Sequence, residues 1–336
     1  MHKLLIDPND KLPKIKQIVQ ALIRDIEKGV LKKDERLPSI NDFSKQHQIA
    51  RDTVEKAYSR LKEKGFLISV PGKGNYVAER VQDRLNILMV LNKMSSYKKE
   101  VYYSFLKKLG TKAKVDLQIH HYDPKLLKEI LDHNKGKYHY YVIMPHFFHD
   151  ADPKDYMPVL KSIPPHELVI LDKNVLLDDE AHIAVYQDFK RDIYEALLSA
   201  EKSLQKYKSI TIVFPELNNH PIETLDGIKQ FCKDYKKKFA IVPDVDRVQL
   251  KKGQVFLTLT ESALADLIKM VRSKGLKLGT DIGIISFNET VLKELLDITV
   301  ITTNFEEMGN TAATLILNKE FKQVRNSCKL IERSSL

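Results

Sequence analysis

The chain has 336 residues and a mass of 38.8 kDa; 43% of its residues are hydrophobic, 30% are charged, and its formal net charge is +10 with a pI near 9.2. That length supports two to three domains with sizeable cores, and that balance is the composition of a soluble globular protein with an anionic partner. No run approaches 18 consecutive apolar residues, and the amino terminus shows neither an apolar signal core nor a small-residue cleavage site, so no membrane contact and a cytoplasmic location are expected.

The charge is uneven. Residues 1–80 hold 17 Lys+Arg against 11 Asp+Glu, while the other 256 hold 38 against 34. A small basic module joined to a nearly balanced domain is the expected organisation.

From Pro13 to Lys28 the apolar positions Ile15, Ile18, Val19, Leu22, Ile23 and Ile26 fall at helical spacing, and Gly29 is a natural stop. In the next stretch, RLPSINDFSKQHQ, Ser39 stands three residues before Asp42 as an N-cap would, ahead of a short helix that turns Ile40 and Phe43 inward. In ARDTVEKAYSRLKEKG a third helix buries Val54, Ala57, Tyr58 and Leu61, leaves Arg51, Thr53 and Lys56 facing out, and stops at Gly65. Two short strands, FLISV and NYVA, then flank the loop Pro71-Gly72-Lys73-Gly74. Three helices and a hairpin in this order predict a winged helix-turn-helix over residues 1–80, whose third helix fits a major groove. The loop lies between two strands and so cannot be a nucleotide-phosphate loop, which needs a strand before it and a helix after it. The phosphates Lys73 would meet are those of DNA, with the two glycines allowing close backbone approach.

Residues 12–80 resemble the DNA-binding domain of the GntR family of bacterial transcription regulators, through the Leu-Pro-Ser turn at 37–39, the Arg-x-Thr-Val at 51–54, the Leu-x-x-x-Gly at 61–65 and the Gly-x-Gly wing at 72–74. The resemblance implies that Ser39 touches a phosphate, that Arg51 and Thr53 lie at the recognition helix, and that Gly72, Lys73 and Gly74 form the wing. Ile40 and Asn41 stand where the family often has Glu-Arg, and Glu55 where many members have Arg. Asn41 and Lys56 are therefore the expected substitutes, with Lys56 supplying the missing positive charge.

Ala78–Arg84 is short and charged, with 81–84 expected as a linker. Beyond it, apolar runs at 85–91, 115–119, 140–144, 168–172, 209–214, 255–259 and 282–287 alternate with helical patterns such as Arg191–Lys206 and Ser262–Lys274. Near-continuous Val/Ile/Leu strands separated by helices predict an α/β fold with parallel sheets covered on both faces. Ligands of such sheets bind beyond the carboxyl ends of the strands. The residues there are Asn92, Ser95, Ser96, His146, Asp172, Lys173, Glu261, Asn288 and Glu289, a polar set suited to a polyhydroxylated ligand more than a phosphorylated one. His120-His121 and His146/His149 lack a third ligand at metal spacing, and Cys232 and Cys328 fit no ligand spacing, so no metal is expected and the thiols are expected to be reduced.

Residues 85–333 resemble the effector domain of LacI/GalR regulators, itself similar to periplasmic sugar-binding proteins, in LVILDKNV, AVYQDFKRDIYEA, KGLKLGTDIGIISFNET and the closing stretch with Glu-Met-Gly at 307–309 and Ile-Glu-Arg at 331–333. Thr224, with Glu223 beside it, stands where that family often has Arg, and Thr260-Glu261 where Asn-Asp is usual. The resemblance implies two lobes, 85–188 plus 303–320 and 189–302 plus 321–333, with an effector between them and Glu223 added to its candidate contacts. It implies also a homodimer that reads a pseudo-palindromic operator. The expected protein is a DNA-binding repressor that answers to a monosaccharide, with 85–336 as effector and dimerisation domain, no enzymatic activity and no cofactor. The rivals are a pyridoxal-phosphate aminotransferase-like enzyme behind the same DNA module, a regulator with a non-sugar ligand, and a solute-binding protein for transport. The Schiff-base lysine and its aspartate partner that the enzyme needs are not evident.

Overall fold

The computed structural model describes residues 13–27, 30–78, 84–148, 151–175, 177, 181–215 and 220–336. Gly29, His149 and most of the expected linker at 81–84 lie outside them. The chain forms two compact units, 1–84 and 85–336.

In the first unit, α1 (Lys14–Glu27), α2 (Ile40–His47) and α3 (Arg51–Glu63) are followed by the antiparallel strands β1 (Leu67–Val70) and β2 (Gly74–Val77), with Leu67 opposite Val77 and Val70 opposite Gly74. The apolar stripes meet in one core of Ile18, Leu22, Leu37, Phe43, Val54, Ala57, Tyr58, Leu61, Leu67 and Val77. Ser39 caps α2, its hydroxyl oxygen accepting from the Asp42 amide at 3.1 Å and donating to the Asp42 carboxylate at 2.6 Å. Gln48 takes a left-handed conformation with φ 51°, which ends α2 and turns the chain into α3. The buried Tyr58 hydroxyl donates to Pro38 O at 3.1 Å and ties α3 to the turn before α2.

The second unit has two lobes. Lobe one is built from β3 (Leu85–Leu91), α4 (Ser96–Leu109), β4 (Ala113–Ile119), α5 (Pro124–Asn134), β5 (Tyr140–Ile143), α6 (Pro153–Lys161), β6 (Leu168–Lys173) and β7 (Ile183–Gln187). Lobe two follows with α7 (Phe189–Ser199), α8 (Glu201–Leu204), β8 (Ser209–Val213), α9 (Glu223–Asp234), β9 (Lys238–Val242), β10 (Gln254–Thr258), α10 (Glu261–Ser273), β11 (Ile282–Phe287), α11 (Val291–Leu295) and β12 (Thr299–Thr303). The chain returns to lobe one for α12 (Phe305–Asn318) and β13 (Gln323–Arg325), and ends in lobe two with β14 (Cys328–Ile331).

The strand order in lobe one is β13-β7-β6-β5-β3-β4, all parallel. In lobe two it is β14-β12-β11-β10-β8-β9, parallel except for β14, which runs antiparallel along β12. Each sheet has an apolar core on both faces, which is why its central strands read as unbroken hydrophobic runs. Because β13 pairs with β7, lobe one extends to 325, five residues beyond the expected 320, and the last crossing falls at 326–327.

Two glycines set close helix contacts. A Cβ on Gly309 would lie 2.1 Å from Ser104 Oγ and 2.3 Å from Val101 O, so α12 meets α4 at backbone distance. On Gly227 it would lie 2.2 Å from Lys190 O, where α9 meets α7.

The three crossings are short: Asp188, Asn304, and Asn326-Ser327. Asp188 caps α7, accepting from the Arg191 amide at 3.1 Å, and Asn304 caps α12, accepting from the Glu307 amide at 3.0 Å. The crossings are also laced together, because the Asn326 side-chain amide donates to Asn304 O at 2.9 Å and the Asn304 amide donates to Ser327 O at 3.0 Å. Arg325 of lobe one reaches Asp192 (2.5 Å) and Glu195 (2.6 Å) on α7 of lobe two.

Candidate nucleic-acid interface and effector cleft

In the first unit, Arg51 is the first residue of α3 and is exposed, with Thr53 half-buried in the same first turn. Helix N-terminal residues in this position are the ones that reach base edges. Lys56 is exposed and bonded to Asp52 at 2.8 Å, four residues earlier. So exposed a pair contributes little and can give way to a phosphate. Asn41 is exposed on the first turn of α2, while Ser39 spends its hydroxyl on the cap.

The wing turns through Gly72 and Gly74, whose φ angles of 73° and 114° disfavour a side chain, and presents Lys73 to solvent. A residue missed in the sequence stands beside it. Arg36 bridges to Tyr76 in β2, and its Nε would lie 3.2 Å from a Cβ on Gly74, so a second cation rides on the wing. Its place directly before the Leu-Pro-Ser turn was the available signal.

In the second unit the candidate residues gather at the carboxyl ends of both sheets, which face each other. A cavity of about 670 Å³ lies between the lobes, with Ser96, Tyr97, Glu100 and Phe305 on one side and Glu261, Glu289, Glu294 and Lys329 on the other. Tyr97 stacks on Phe305 at 5.3 Å. Of the expected contacts, Ser96, Glu261 and Glu289 line this cavity, and Ser95 caps the helix that carries Ser96. Lys173 of lobe one faces Glu223 of lobe two at 3.8 Å, so two residues expected separately as effector contacts meet across the cleft. Asn288, with φ 62°, donates its amide to Ile301 O and accepts from the buried Lys293 ammonium at 2.9 Å. Glu289 is held by Arg333 at 2.5 Å.

Asn92, His146 and Asp172 are buried and do not line the cavity. Asp172, with φ 72°, is the centre of a network. It accepts from the Lys98 ammonium and from His146 Nε2 (2.9 Å) on one oxygen and from the Gln187 amide on the other. Gln187 in turn accepts from the Thr303 hydroxyl. Burial opposes charge on Asp172, but the Lys98 ammonium and His146 prevail and hold its carboxyl well below the usual carboxylate range. Burial pushes His146 down in spite of Asp172. Lys98 was not foreseen because a lysine in the first turn of an amphipathic helix reads as a solvated face. Gln187 was not foreseen because it ends a strand, β7, that the periodicity did not reveal.

Among the described residues no group of three His, Cys, Asp or Glu could hold a metal ion, and no helix is long and apolar enough to cross a membrane. Both cysteines are free thiols; burial pushes Cys232 up to about 11 and Cys328 up to about 12, which leaves them unreactive near neutrality.

Residues 14–77 match the family model described as "Bacterial regulatory proteins, gntR family". The chain is 30% identical over 96 residues to the HTH-type transcriptional repressor YtrA of Bacillus subtilis, covering 29% of this chain and 71% of that protein. It is 34% identical over 67 residues to the arabinose metabolism transcriptional repressor of Geobacillus stearothermophilus, covering 20% of this chain but 18% of that protein, so it spans under a fifth of that relative's length. Among solved structures, a LacI family transcriptional regulator from Lactobacillus casei with bound glucose superposes with a TM-score of 0.58 at 12% identity, over 75% of this chain and 100% of that one. At that identity the likeness is one of fold: two lobes of the LacI, periplasmic-binding-protein type. With the winged module, its recognition helix and the reach of the YtrA match taken together, the chain belongs to the GntR family of bacterial regulatory proteins and is a DNA-binding transcription regulator.

Proposed function

We propose that this protein is a repressor that binds a pseudo-palindromic operator as a homodimer and is released by a small polyhydroxylated effector, a monosaccharide, held between the two lobes. The observation that carries the reading is the pairing of a DNA-reading module with two sheets whose polar carboxyl ends face each other across a cleft crossed by three short segments. Open α/β sheets bind ligands at that edge. The glucose in the L. casei structure and the arabinose metabolism repressor among the relatives favour a sugar. In this reading Ser96, Glu261 and Glu289 line the effector site, Ser95, Lys173, Glu223 and Asn288 stand at its edge, and the buried Asn92, His146 and Asp172 support it from behind. Ser39, Asn41, Arg51, Thr53, Lys56, Gly72, Lys73 and Gly74 meet the operator. The effector acts through a difference in its affinity for the DNA-competent and incompetent states.

Selection from random duplexes tests the DNA half: an inverted repeat with half-sites about one helical turn apart is expected, and a single unrepeated site would remove the dimer. A panel of neutral monosaccharides, deoxy sugars and sugar phosphates, scored by their effect on affinity for the selected duplex, tests the effector half. Release by one sugar is the expected result. Tightening by that sugar would reverse the sign of control, and enzymatic turnover of it would replace the reading.

A further inference from the structure

The amino ends of the lobe two strands, on the side away from the cleft, carry an unbalanced row of lysines. Backbone bonds set four strand entries side by side. The Lys238 amide donates to Lys208 O at 3.1 Å, the Lys208 amide to Gly253 O at 2.7 Å, the Gly253 amide to Asp281 O at 2.8 Å and the Asp281 amide to Lys277 O at 2.8 Å. These entry segments, 206–209, 236–238, 251–254 and 277–282, hold eight lysines and one carboxylate, Asp281. Residues 81–336 as a whole carry 38 Lys+Arg against 34 Asp+Glu, so their positive charge is concentrated here. Two of the eight are spent on backbone: Lys206 donates to Gly279 O at 2.6 Å, and Lys237 turns inward to Leu204 O and Tyr207 O at 2.8 and 2.7 Å. Lys252 pairs with Asp281 at 3.0 Å. Lys208, Lys236, Lys238 and Lys251 are exposed and, among the described residues, enter no ion pair.

A lysine at a helix carboxyl end complements the helix dipole. That does not account for Lys251 and Lys252, which follow a loop, or for Lys238, which opens β9. Like charges on neighbouring strands, about 4.8 Å apart, repel one another and lower stability unless an anion covers them. The make-up of the row selects the anion. Its segments contain no arginine and no exposed large apolar residue. Protein interfaces favour arginine and aromatic anchors and deplete lysine, and peripheral membrane binding needs an apolar face beside the cations. A phosphate backbone needs neither, because lysine meets it as a point charge. We propose that this lysine edge of lobe two is a second, sequence-independent contact with duplex DNA, separate from the winged module. The inference goes beyond the effector reading and holds whatever that effector is. Such a contact would keep the protein on DNA away from its operator.

The test measures binding of the full chain to a random-sequence duplex several helical turns long, by anisotropy over a salt series. One variant combines Lys208→Gln, Lys236→Gln, Lys238→Gln and Lys251→Gln. A control removes the same charge from exposed positions elsewhere, with Lys125→Gln, Lys154→Gln, Lys190→Gln and Lys319→Gln. The first is expected to reduce the slope of log affinity against log salt by about three, and the control by less than about one. Adding Lys73→Ala to the first variant is expected to reduce the slope by about one more, because the two contacts are separate. An unmoved slope in the first variant overturns the proposal, as does failure of the wild type to bind the random duplex at low salt. An equal fall in the control also overturns it, since net charge alone would then explain the binding. So does an unmoved slope with attachment to phosphatidylserine vesicles lost in the first variant, which would assign the edge to a lipid surface. Should the fourfold variant fail to fold, the pairs Lys208→Gln/Lys251→Gln and Lys236→Gln/Lys238→Gln decide, each expected to remove about half of the change.

Discussion

In the proposed operator complex Arg51, Lys73 and Arg36 would divide the labour of DNA contact in a way that salt and sequence can separate. Arg51→Ala is expected to lower operator affinity by about 1–3 kcal/mol and relax specificity at one base position, as measured by anisotropy on matched and single-substituted duplexes. Lys73→Ala and Arg36→Ala are each expected to weaken binding evenly across sequences and reduce the slope of log affinity against log salt by about one; an unmoved slope removes that residue from the phosphate contacts. His120 carries a different signature. Its imidazole is held down to about 4 by burial, against an ordinary value of 6.5. The unfolded chain therefore binds a proton that the native one refuses between those values, and stability falls as pH drops from about 6.5 to 4, by on the order of 3 kcal/mol from this group. His120→Phe should flatten that part of the stability-against-pH curve. These residues show how far single positions can be read from sequence. Arg51, Thr53 and Lys73 were legible because a motif fixes their places on a helix and a wing. Lys98, His120 and Gln187 were not, because what makes them consequential is burial among partners 74, 24 and 15 residues away in sequence.

At the scale of elements, the contact between α4 and α12 depends on the absence of a side chain. Gly309→Val would force the helices apart and is expected to destabilise by about 1–3 kcal/mol or more, read as a lower urea midpoint. The buried Lys98–Asp172 pair makes a sharper case. Asp172→Ala would strand a buried ammonium and cost about 3–5 kcal/mol, whereas Lys98→Met with Asp172→Leu should recover most of it. If the double variant is as unstable as the single one, the pair is not what Asp172 contributes. The seven apolar runs were all legible as strands, and each is one. β7, β9, β12, β13 and β14 were not. β12 reads TVITT, with threonines that are buried all the same because Ser335, Arg333 and Gln187 bond them, and β13 and β14 are short edge strands with no hydrophobic run to announce them. Period-two and continuous-run signals need a sustained apolar pattern, and β7 offers only the three buried residues Ile183, Ala184 and Val185, β12 interleaves its apolar pair with threonines, and the edge strands are only partly buried.

For the whole molecule, the two-lobed architecture followed from the order of elements, but the place of the last crossing did not, since three residues of β13 decide it. The crossings themselves have a mechanical consequence. Spans of one, one and two residues, the second and third bonded to each other, leave little room for the lobes to slide or separate. What remains is rotation about the line through the spans, a single coordinate, as in a clamshell. A ligand between the lobes can then convey how far they have closed and little else. Under the proposed control by an effector, molecules of different shape that close the cleft to the same angle would be indistinguishable to the DNA, and one that props it at an intermediate angle would give a graded output even when saturating.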